Sequence, residues 1–294
     1  MRVIDLYCGV GGLSYGFMKV FGNVTGYDKE LWCVANYRKN VSKSVYKVDL
    51  LSYTPDTRAD IIIGGSPCEP FSQLNITSTK YEKHPLYPTL PRFFRIVKRL
   101  RPIVFVHENV PKASFHVTKA ISEANLVEEY RIAKIRVRYS DYGVGTSRER
   151  LFTIGVLRNQ GSPVDIIEEL RKYREKGKTL LECIRDLVDK PMDESINHVW
   201  RMSNRKGNGV LFSFQVNLRW DEPLKGFGNP EKSWVWLPDG SRVISVRELM
   251  RCMGFPDNFI LIRSTPLRTM YEMITDAVSP IFSEKLAKAI SEVI

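Results

Sequence analysis

The sequence predicts an α/β fold, a doubly wound Rossmann-like parallel sheet that carries a small irregular lobe. Short apolar runs alternate with helical stretches over the first half of the 294-residue chain, as in repeated βα units. Glycine-rich turns follow two of these runs, at points where a strand passes into the next element. The alternation stops near residue 157, and regular helical spacing returns at Ser245.

The predicted strands and helices follow one another in chain order. Asp60-Ile61-Ile62-Ile63 is a clear strand, because an apolar β-branched run ends there at a glycine pair. Strands are expected at 3–7, 24–27, 45–48, 60–63, 103–107 and 151–156. Helices, marked by apolar residues at helical spacing, are expected at 13–20, 31–39, 90–100, 112–124, 246–253 and 280–294.

Three segments are predicted along the chain. Residues 1–156 form the sheet domain, residues 157–243 the irregular lobe, and residues 244–294 a C-terminal segment that returns to the sheet domain. In the lobe, tryptophan and arginine residues are interleaved with Gly/Asn-rich loops. That composition suits contacts with bases and phosphates, and equally a small hydrophobic core.

Composition narrows the class of partner and the compartment. Lys and Arg number 44 against 33 Asp and Glu, and the net charge of +11 favours a polyanionic partner. No run approaches the roughly 18 apolar residues of a membrane span, and no signal-peptide pattern is found. The five cysteines include no CxxC pair, which predicts reduced thiols in the cytoplasm and no structural zinc or other metal site. Basic residues are concentrated between Lys80 and Arg101, which suits a nucleic-acid substrate.

A stiff loop after the fourth predicted strand presents one cysteine. Pro67 and Pro70 bracket Cys68 and fix two φ angles, which keeps Ser66 and Glu69 out of helical geometry. Parallel α/β sheets place their chemistry at the C-terminal edge of the strands, where this thiol is expected. A lone cysteine is otherwise more often a buried, unreactive residue.

A second loop, after the first predicted strand, has the features of a nucleotide site. Gly9, Gly11 and Gly12 allow a ligand to approach the backbone, and the following helix offers unpaired N–H groups to an anion. Ser14 occupies the place where a dinucleotide fingerprint has its third glycine. Asp28 follows Gly9 by 19 residues, where doubly wound folds bind ribose hydroxyls, and Asp49 ends the third strand near an expected adenine. An adenosine ligand with a small anionic tail fits better than a dinucleotide.

These residues resemble, over nearly the full chain, those of the DNA (cytosine-5) methyltransferases, which use S-adenosylmethionine. The resemblance implies a Rossmann-like methyltransferase sheet and an order of motifs that this chain follows. The matching blocks are the Gly9 loop, Asp28, Asp49, Pro67-Cys68, His107-Glu108-Asn109-Val110, Arg148-Glu149-Arg150, Arg247-Glu248 with Gly254-Phe255-Pro256-Asp257, and Asp276-Ala277-Val278-Ser279-Pro280.

The resemblance also implies roles for individual residues. Cys68 would add to carbon-6 of cytosine and make carbon-5 nucleophilic. Glu108, protonated, would bind ring nitrogen-3 and the exocyclic amine, and Arg150 the carbonyl at carbon-2. Arg148 would support the site or bind phosphate, and Asn109 would order the Cys68 loop.

Cofactor and DNA contacts carry over in the same way. The expected cofactor-binding residues are Tyr7, Gly9, Gly11, Gly12, Leu13, Asp28, Lys29, Asp49, Leu50, Pro67, Asp276 and Val278. The expected DNA-binding residues are Ser72, Gln73, Lys80, Lys83, Arg201, Arg205 and Lys206. The target base must leave the duplex. By resemblance the loop 72–88 closes over double-stranded DNA, and residues 157–243 form the target-recognition domain.

Four departures from the family pattern stand out. Ser66 replaces the usual proline, and Glu69 the usual glutamine, beside the nucleophile. Gly145-Thr146 replaces Pro-Gln ahead of the paired arginines, and Thr275-Asp276 replaces Gly-Asn in the last block. None of them removes a catalytic group.

The leading hypothesis is a sequence-specific DNA (cytosine-5) methyltransferase, monomeric and cytoplasmic, either in a restriction–modification system with a separate endonuclease or acting alone. Three alternatives stay open: a tRNA cytosine methyltransferase, although the Cys-Phe-Thr signature of that branch is missing; a catalytically silent DNA-binding relative; and an NAD-linked oxidoreductase, which leaves the Cys68 and Glu108 blocks unexplained.

Overall fold

The computed structural model describes residues 1–71, 81–200, 218–225 and 235–294. These residues form a seven-stranded sheet in the order β3-β2-β1-β4-β5-β7-β6. The strands are β1 (Val3–Leu6), β2 (Val24–Asp28), β3 (Val45–Lys47), β4 (Ile61–Gly64), β5 (Val104–Asn109), β6 (Tyr130–Arg138) and β7 (Glu149–Leu157). The helices are α1 (Gly12–Phe21), α2 (Leu31–Asn40), α3 (Thr89–Leu100), α4 (Ser114–Glu123), α5 (Pro163–Lys172), α6 (Leu180–Ile184), α7 (Val246–Cys252), α8 (Leu267–Asp276) and α9 (Pro280–Val293). The predicted α/β fold class is confirmed.

The parallel part of the sheet spans five strands, and β7 departs from the prediction of an all-parallel sheet. β7 runs antiparallel to β5, from Val104↔Val156 to Asn109↔Leu151. The chain reaches β7 from β6 through residues 139–148 alone. That connection is shorter than the crossover of a dozen or more residues that parallel neighbours need.

Four elements escaped the sequence prediction, namely β6, α5, α6 and α8, and the first three have recognisable signals. β6 covers Tyr-Arg-Ile-Ala-Lys-Ile-Arg-Val-Arg, where apolar and basic residues partly alternate as in a half-buried strand. The segment 157–243 was expected to be irregular, yet it contains α5 and α6. Ser162 caps α5 ahead of Pro163, and Thr179 caps α6 in a capping box with Glu182.

The chain divides into two compact units. The first comprises residues 1–137, 149–173 and 283–294, and the second residues 138–148 and 174–282. The predicted boundaries at 156 and 243, and the role of the middle segment in target recognition, stay predictions.

The core of the first unit fixes α3 and α4 on the sheet. Ile62 and Phe105 of the central strands, Phe94 of α3, Val117 of α4 and Tyr130 of β6 belong to one fully buried cluster. Burying such side chains contributes about 1.5–3 kcal/mol each. Helix α3 follows the Cys68 loop, and α4 follows β5, the strand of Glu108. The packing of these helices therefore holds the ends of β4 and β5 in place.

The second unit is organised by a buried arginine. Arg247 of α7 is 1 % exposed, and its guanidinium donates to the carbonyls of Ile196 and Phe259 at 2.6 and 3.0 Å. Beside it, Glu248 caps α7 with Ser245 and pairs with Arg242 at 2.7 Å. The Arg247-Glu248 block therefore serves the folding of this unit.

No helix in the described ranges is both long and apolar enough to cross a membrane.

Candidate active site

Strand register brings three loops to one edge of the sheet. β4 pairs in parallel with both neighbours, Leu6 opposite Gly64 and Gly64 opposite His107. The residues that follow β1, β4 and the His107 position therefore lie side by side at the C-terminal edge, the usual ligand-binding edge of such sheets. Gly64 is required there, because a Cβ at this position would lie 2.2 Å from the Leu6 carbonyl oxygen.

The Cys68 loop is fastened to β5 through Ser66. The Asn109 amide nitrogen donates to the Ser66 carbonyl at 3.0 Å and lies 3.2 Å from its hydroxyl. The Ser66 hydroxyl also bonds to His107 Nε2 at 3.0 Å. Cys68 itself is half-buried, and its carbonyl accepts from Phe71 N–H at 2.9 Å. This is the geometry that an ordering role of Asn109 requires. The prediction that Pro70 keeps Glu69 out of helical geometry was wrong, because Glu69 begins a short 3₁₀ helix, Glu69–Phe71, that the bond from Phe71 to Cys68 closes.

His107 explains why a hydroxyl suits position 66. The ring is 1 % exposed and packs against Phe93 and Phe94, with centroids 4.8 and 5.0 Å away. Burial lowers the pKa of His107 to about 3, so the imidazole is neutral at physiological pH. Ser66, a departure from the family pattern, thus gives the Nε2 atom of a buried imidazole a hydrogen-bond partner.

Glu108 and Arg150 form a buried ion pair. Arg150 Nε lies 2.8 Å from Glu108 Oε1, and the side chains are only 14 % and 10 % exposed. Burial raises the pKa of Glu108, while the charge and hydrogen bond of Arg150 oppose the rise. Gly65 adjoins the carboxylate, because a Cβ there would lie 2.7 Å from Glu108 Oε2. A carboxyl in this setting binds a proton more readily than an exposed glutamate does.

The glycine loop is tied to β2 through Asp28. Its carboxylate accepts from Gly9 N–H at 2.9 Å and from Glu30 N–H at 2.8 Å. Burial raises the pKa of Asp28, and these two backbone bonds oppose the rise. Gly9 has a φ of 54° and no heavy atom within 4 Å of a Cβ position, so the loop leaves room for a ligand.

A buried network under this loop was missed by the sequence prediction. The Ser14 hydroxyl donates to Asp5 at 2.6 Å and accepts from the Tyr37 hydroxyl at 2.8 Å. Burial raises the pKa of Asp5 to about 7, against the Ser14 hydrogen bond. The sequence pattern marks Ser14 only as the missing third glycine, whereas in the structure it lies in the first turn of α1 and reaches Asp5 of β1.

The Arg92 side chain binds the loop after Asp49 and is not one of the free basic groups of its stretch. Its guanidinium donates to the carbonyls of Leu50 and Tyr53 at 2.7 and 3.0 Å and to the Thr54 hydroxyl at 2.6 Å. Two other basic residues of this stretch, Lys98 and Arg101, pair with Glu129. Three of the basic residues concentrated between Lys80 and Arg101 are thus bound to groups within the protein.

The remaining predicted residues fall into three groups. Tyr7, Gly11, Gly12, Leu13, Lys29, Asp49, Leu50 and Pro67 lie in the first unit with the residues above. Arg148, buried, Asp276, exposed, and Val278, buried, belong to the second unit. Lys83 is exposed at the end of a short 3₁₀ helix, Tyr81–Lys83. Ser72, Gln73, Lys80, Arg201, Arg205 and Lys206 lie outside the described residues.

The donors present suit an adenosine-type ligand. The open backbone at Gly9 and the acids Asp28 and Asp49 supply hydrogen bonds but no cluster of metal ligands. Within the part of the chain that the structure describes, no group of three or more His, Cys, Asp or Glu residues is arranged around a metal position.

Replacing Ser66 by alanine should destabilise the first unit by about 1–3 kcal/mol, because His107 Nε2 loses its partner inside the protein. Urea unfolding followed by tryptophan fluorescence and circular dichroism measures the loss. Ser122→Ala, an exposed serine on α4, is the control and should change the free energy of unfolding by less than about 0.5 kcal/mol. Equal stability of the two variants would contradict the assigned hydrogen bonds.

Comparison with known proteins finds methyltransferases that are similar to this chain. The type II methyltransferase M.FnuDI of Fusobacterium nucleatum is 27 % identical over 99 % of this chain and 94 % of its own length. M.DdeI of Desulfomicrobium norvegicum is 32 % identical over 64 % of this chain, a match that spans about half (48 %) of that protein. Among solved structures, the Schizosaccharomyces pombe Dnmt2 methyltransferase has a TM-score of 0.73 at 16 % identity, over 99 % of both chains. This last likeness concerns the fold.

The family model for C-5 cytosine-specific DNA methylases matches residues 1–213 and 225–292. With its Pro-Cys loop, its Glu-Asn-Val strand end and its glycine loop at one edge of the sheet, the chain belongs to the C-5 cytosine-specific DNA methyltransferase family.

Proposed function

We propose that this protein transfers a methyl group from S-adenosylmethionine to carbon-5 of a cytosine flipped out of a specific double-stranded DNA sequence. The observation that carries the proposal is the bonding of the Cys68 loop to β5, the strand whose Glu108 pairs with Arg150 of β7. This arrangement supports the joint action of a nucleophile and a proton donor on one ring.

Cys68 starts the reaction in this proposal. Its thiolate adds to carbon-6, an S–C6 bond forms, and the displaced π electrons make carbon-5 nucleophilic. When bound, S-adenosylmethionine supplies the electrophilic methyl group to carbon-5. Loss of the carbon-5 proton then returns an electron pair to the ring, the S–C6 bond breaks, and Cys68 leaves as thiolate.

Glu108 stabilises the charge that the addition drives into the ring. Protonated, it donates to nitrogen-3, and its other oxygen accepts from the exocyclic amine. The raised pKa of Glu108 supports this proton-donor role, and Arg150 keeps the rise moderate while offering a donor to the carbonyl at carbon-2. Asn109 acts through Ser66, by holding the loop that carries Cys68.

Cofactor binding is assigned to the residues around the glycine loop. Backbone groups of Gly9–Gly12 would face the amino-acid portion, Asp28 the ribose and Asp49 the adenine. Tyr7, Leu13, Lys29, Leu50 and Pro67 complete the proposed set in the first unit, and the assignment of Asp276 and Val278 of the second unit stays a prediction from the family resemblance. The Asp28 carboxylate already accepts backbone bonds from Gly9 and Glu30, and its roughly four lone-pair sites leave room for a ribose hydroxyl.

The proposal that DNA is the substrate is supported by the family and by the net charge of the chain. The net charge of +11 favours a polyanion, and flipping the base costs a few kcal/mol that contacts with the backbone must offset. We assign target recognition to residues 157–243. The relatives are named type II methyltransferases, which supports a role in restriction–modification beside a separate endonuclease. A monomer in the cytoplasm is part of this proposal.

The direct test is methyl transfer from labelled S-adenosylmethionine to unmethylated genomic DNA and, separately, to tRNA. We expect label in DNA, lost in Cys68→Ala and retained in Cys33→Ala, a control at another half-buried cysteine. Bisulfite sequencing of the product would then give the recognition site. Label in tRNA alone would overturn the DNA assignment, and no label in either substrate would favour the catalytically silent relative.

The pH dependence of kcat tests the role of Glu108. Because the reactive form is protonated, kcat should fall as pH rises through the raised pKa of Glu108. Glu108→Gln should lower kcat by about 10²–10⁴-fold and abolish that fall. Arg150→Met removes the charge that opposes the rise, so the fall should move to higher pH. A shift to lower pH in Arg150→Met would contradict the assigned electrostatics.

Arg92→Met should weaken cofactor binding, because the Asp49–Thr54 loop loses three hydrogen bonds. We expect the dissociation constant of S-adenosylhomocysteine to rise by about tenfold, which corresponds to ~1.4 kcal/mol. Titration calorimetry measures the constant, and Arg95→Met, an exposed arginine of the same helix, should leave it unchanged. Equal affinities in the two variants would show that Arg92 has no part in shaping the pocket.

A further inference from the structure

Four rings next to the Cys68 turn form what we call the aromatic clamp: Phe71, Tyr81, Tyr87 and His116. The His116 ring is central to it. Its centroid lies 5.2 Å from that of Phe71, 4.9 Å from Tyr81 and 5.6 Å from Tyr87. The Tyr87 hydroxyl lies 3.3 Å from His116 Nδ1.

Phe71 connects the clamp to the nucleophile loop. It ends the short 3₁₀ helix Glu69–Phe71, is 1 % exposed, and its N–H donates to the Cys68 carbonyl at 2.9 Å. Its ring also stacks on Tyr81 at 5.9 Å with an interplanar angle of 29°. The position of the Phe71 ring therefore constrains the backbone turn that carries Cys68.

His116 connects the clamp to the Glu108 strand. It is buried in the first turns of α4, which begins five residues after β5 ends at Asn109. A salt bridge of 2.7 Å between Lys119 of α4 and Glu82 supports the same junction. Burial lowers the pKa of His116, so a neutral ring packs among the other three. Among the described residues, the charged groups that act on Tyr87 or His116 are Glu82, Lys119 and Glu123.

We propose that His116 is a positioning residue for Cys68. Its ring holds Phe71, and through Phe71 the Cys68 turn, at a fixed place relative to the strand that carries Glu108 and Asn109. The inference rests on the proposed role of Cys68 as nucleophile. Such a residue matters because displacing a reacting group by about 1 Å costs on the order of 10²-fold in rate.

The test compares His116→Ala with His116→Phe, which keeps a ring but not the bond to Tyr87. His116→Ala should lower kcat by about 10–100-fold with the KM for S-adenosylmethionine unchanged, and His116→Phe should restore most of the rate. Rates are expressed per folded molecule, from circular dichroism and unfolding curves. Ser122→Ala, exposed on the same helix, should behave as the wild type. If His116→Ala folds poorly, Phe71→Leu tests the same ring contact by removing the Phe71 ring instead of the His116 ring.

A second readout does not depend on methyl transfer. Alkylation of Cys68 by iodoacetamide, followed by peptide mass spectrometry with Cys33 as internal reference, should be faster in His116→Ala and near wild type in His116→Phe. Unchanged kcat per folded molecule and unchanged alkylation would overturn the proposal. Failure of His116→Phe to restore either quantity would also overturn it, because the effect would then belong to the imidazole nitrogens. Absence of methyl transfer in the wild type, with altered alkylation in His116→Ala, would refute the proposed function and leave the positioning intact.

Discussion

The pairing of β4 with β1 on one side and β5 on the other is the constraint on which the candidate site depends. It sets Leu6, Gly64 and His107 in one row, so that the loops beyond them share an edge. A larger residue at Gly64 would meet the Leu6 carbonyl and separate the strands. Ser66 then bonds to His107 and Asn109, which extends the strand pairing into the loop that carries Cys68.

Two buried carboxyl groups of this edge, Glu108 and Asp28, each have partners that limit their pKa shift. Burial raises the pKa of Glu108 and of Asp28, and Arg150 in one case and backbone N–H groups in the other oppose the rise. These opposing effects differ in kind. A charged side chain opposes the rise at Glu108, the proposed proton donor, whereas backbone amides oppose it at Asp28, the proposed ribose-binding residue.

Local sequence predicted the parts of the fold and site that depend on local geometry. Strand and helix alternation, the Pro-bracketed Cys68 and the Asp28 that ends β2 all follow from short-range patterns. The predicted direction of β7 was wrong. That direction depends on the short β6–β7 connection, and β6 had not been recognised in the sequence. Arg92 was grouped with basic surface residues, since charge alone does not show which way a side chain points. His116 left no signal, because its contacts with Phe71 and Tyr81 join residues distant in sequence.

Covalent addition of Cys68 to a cytosine at this edge can be trapped with DNA amplified from 5-fluorodeoxycytidine triphosphate. Fluorine at carbon-5 blocks the proton loss that releases the enzyme, so the S–C6 bond persists after methyl transfer. The protein is incubated with this DNA and S-adenosylmethionine, denatured, digested with nuclease and protease, and analysed by mass spectrometry. If Cys68 is the nucleophile, we expect a methylated fluorocytosine adduct on the peptide containing Cys68. An adduct on another cysteine, or none in a preparation that methylates ordinary DNA, would contradict it.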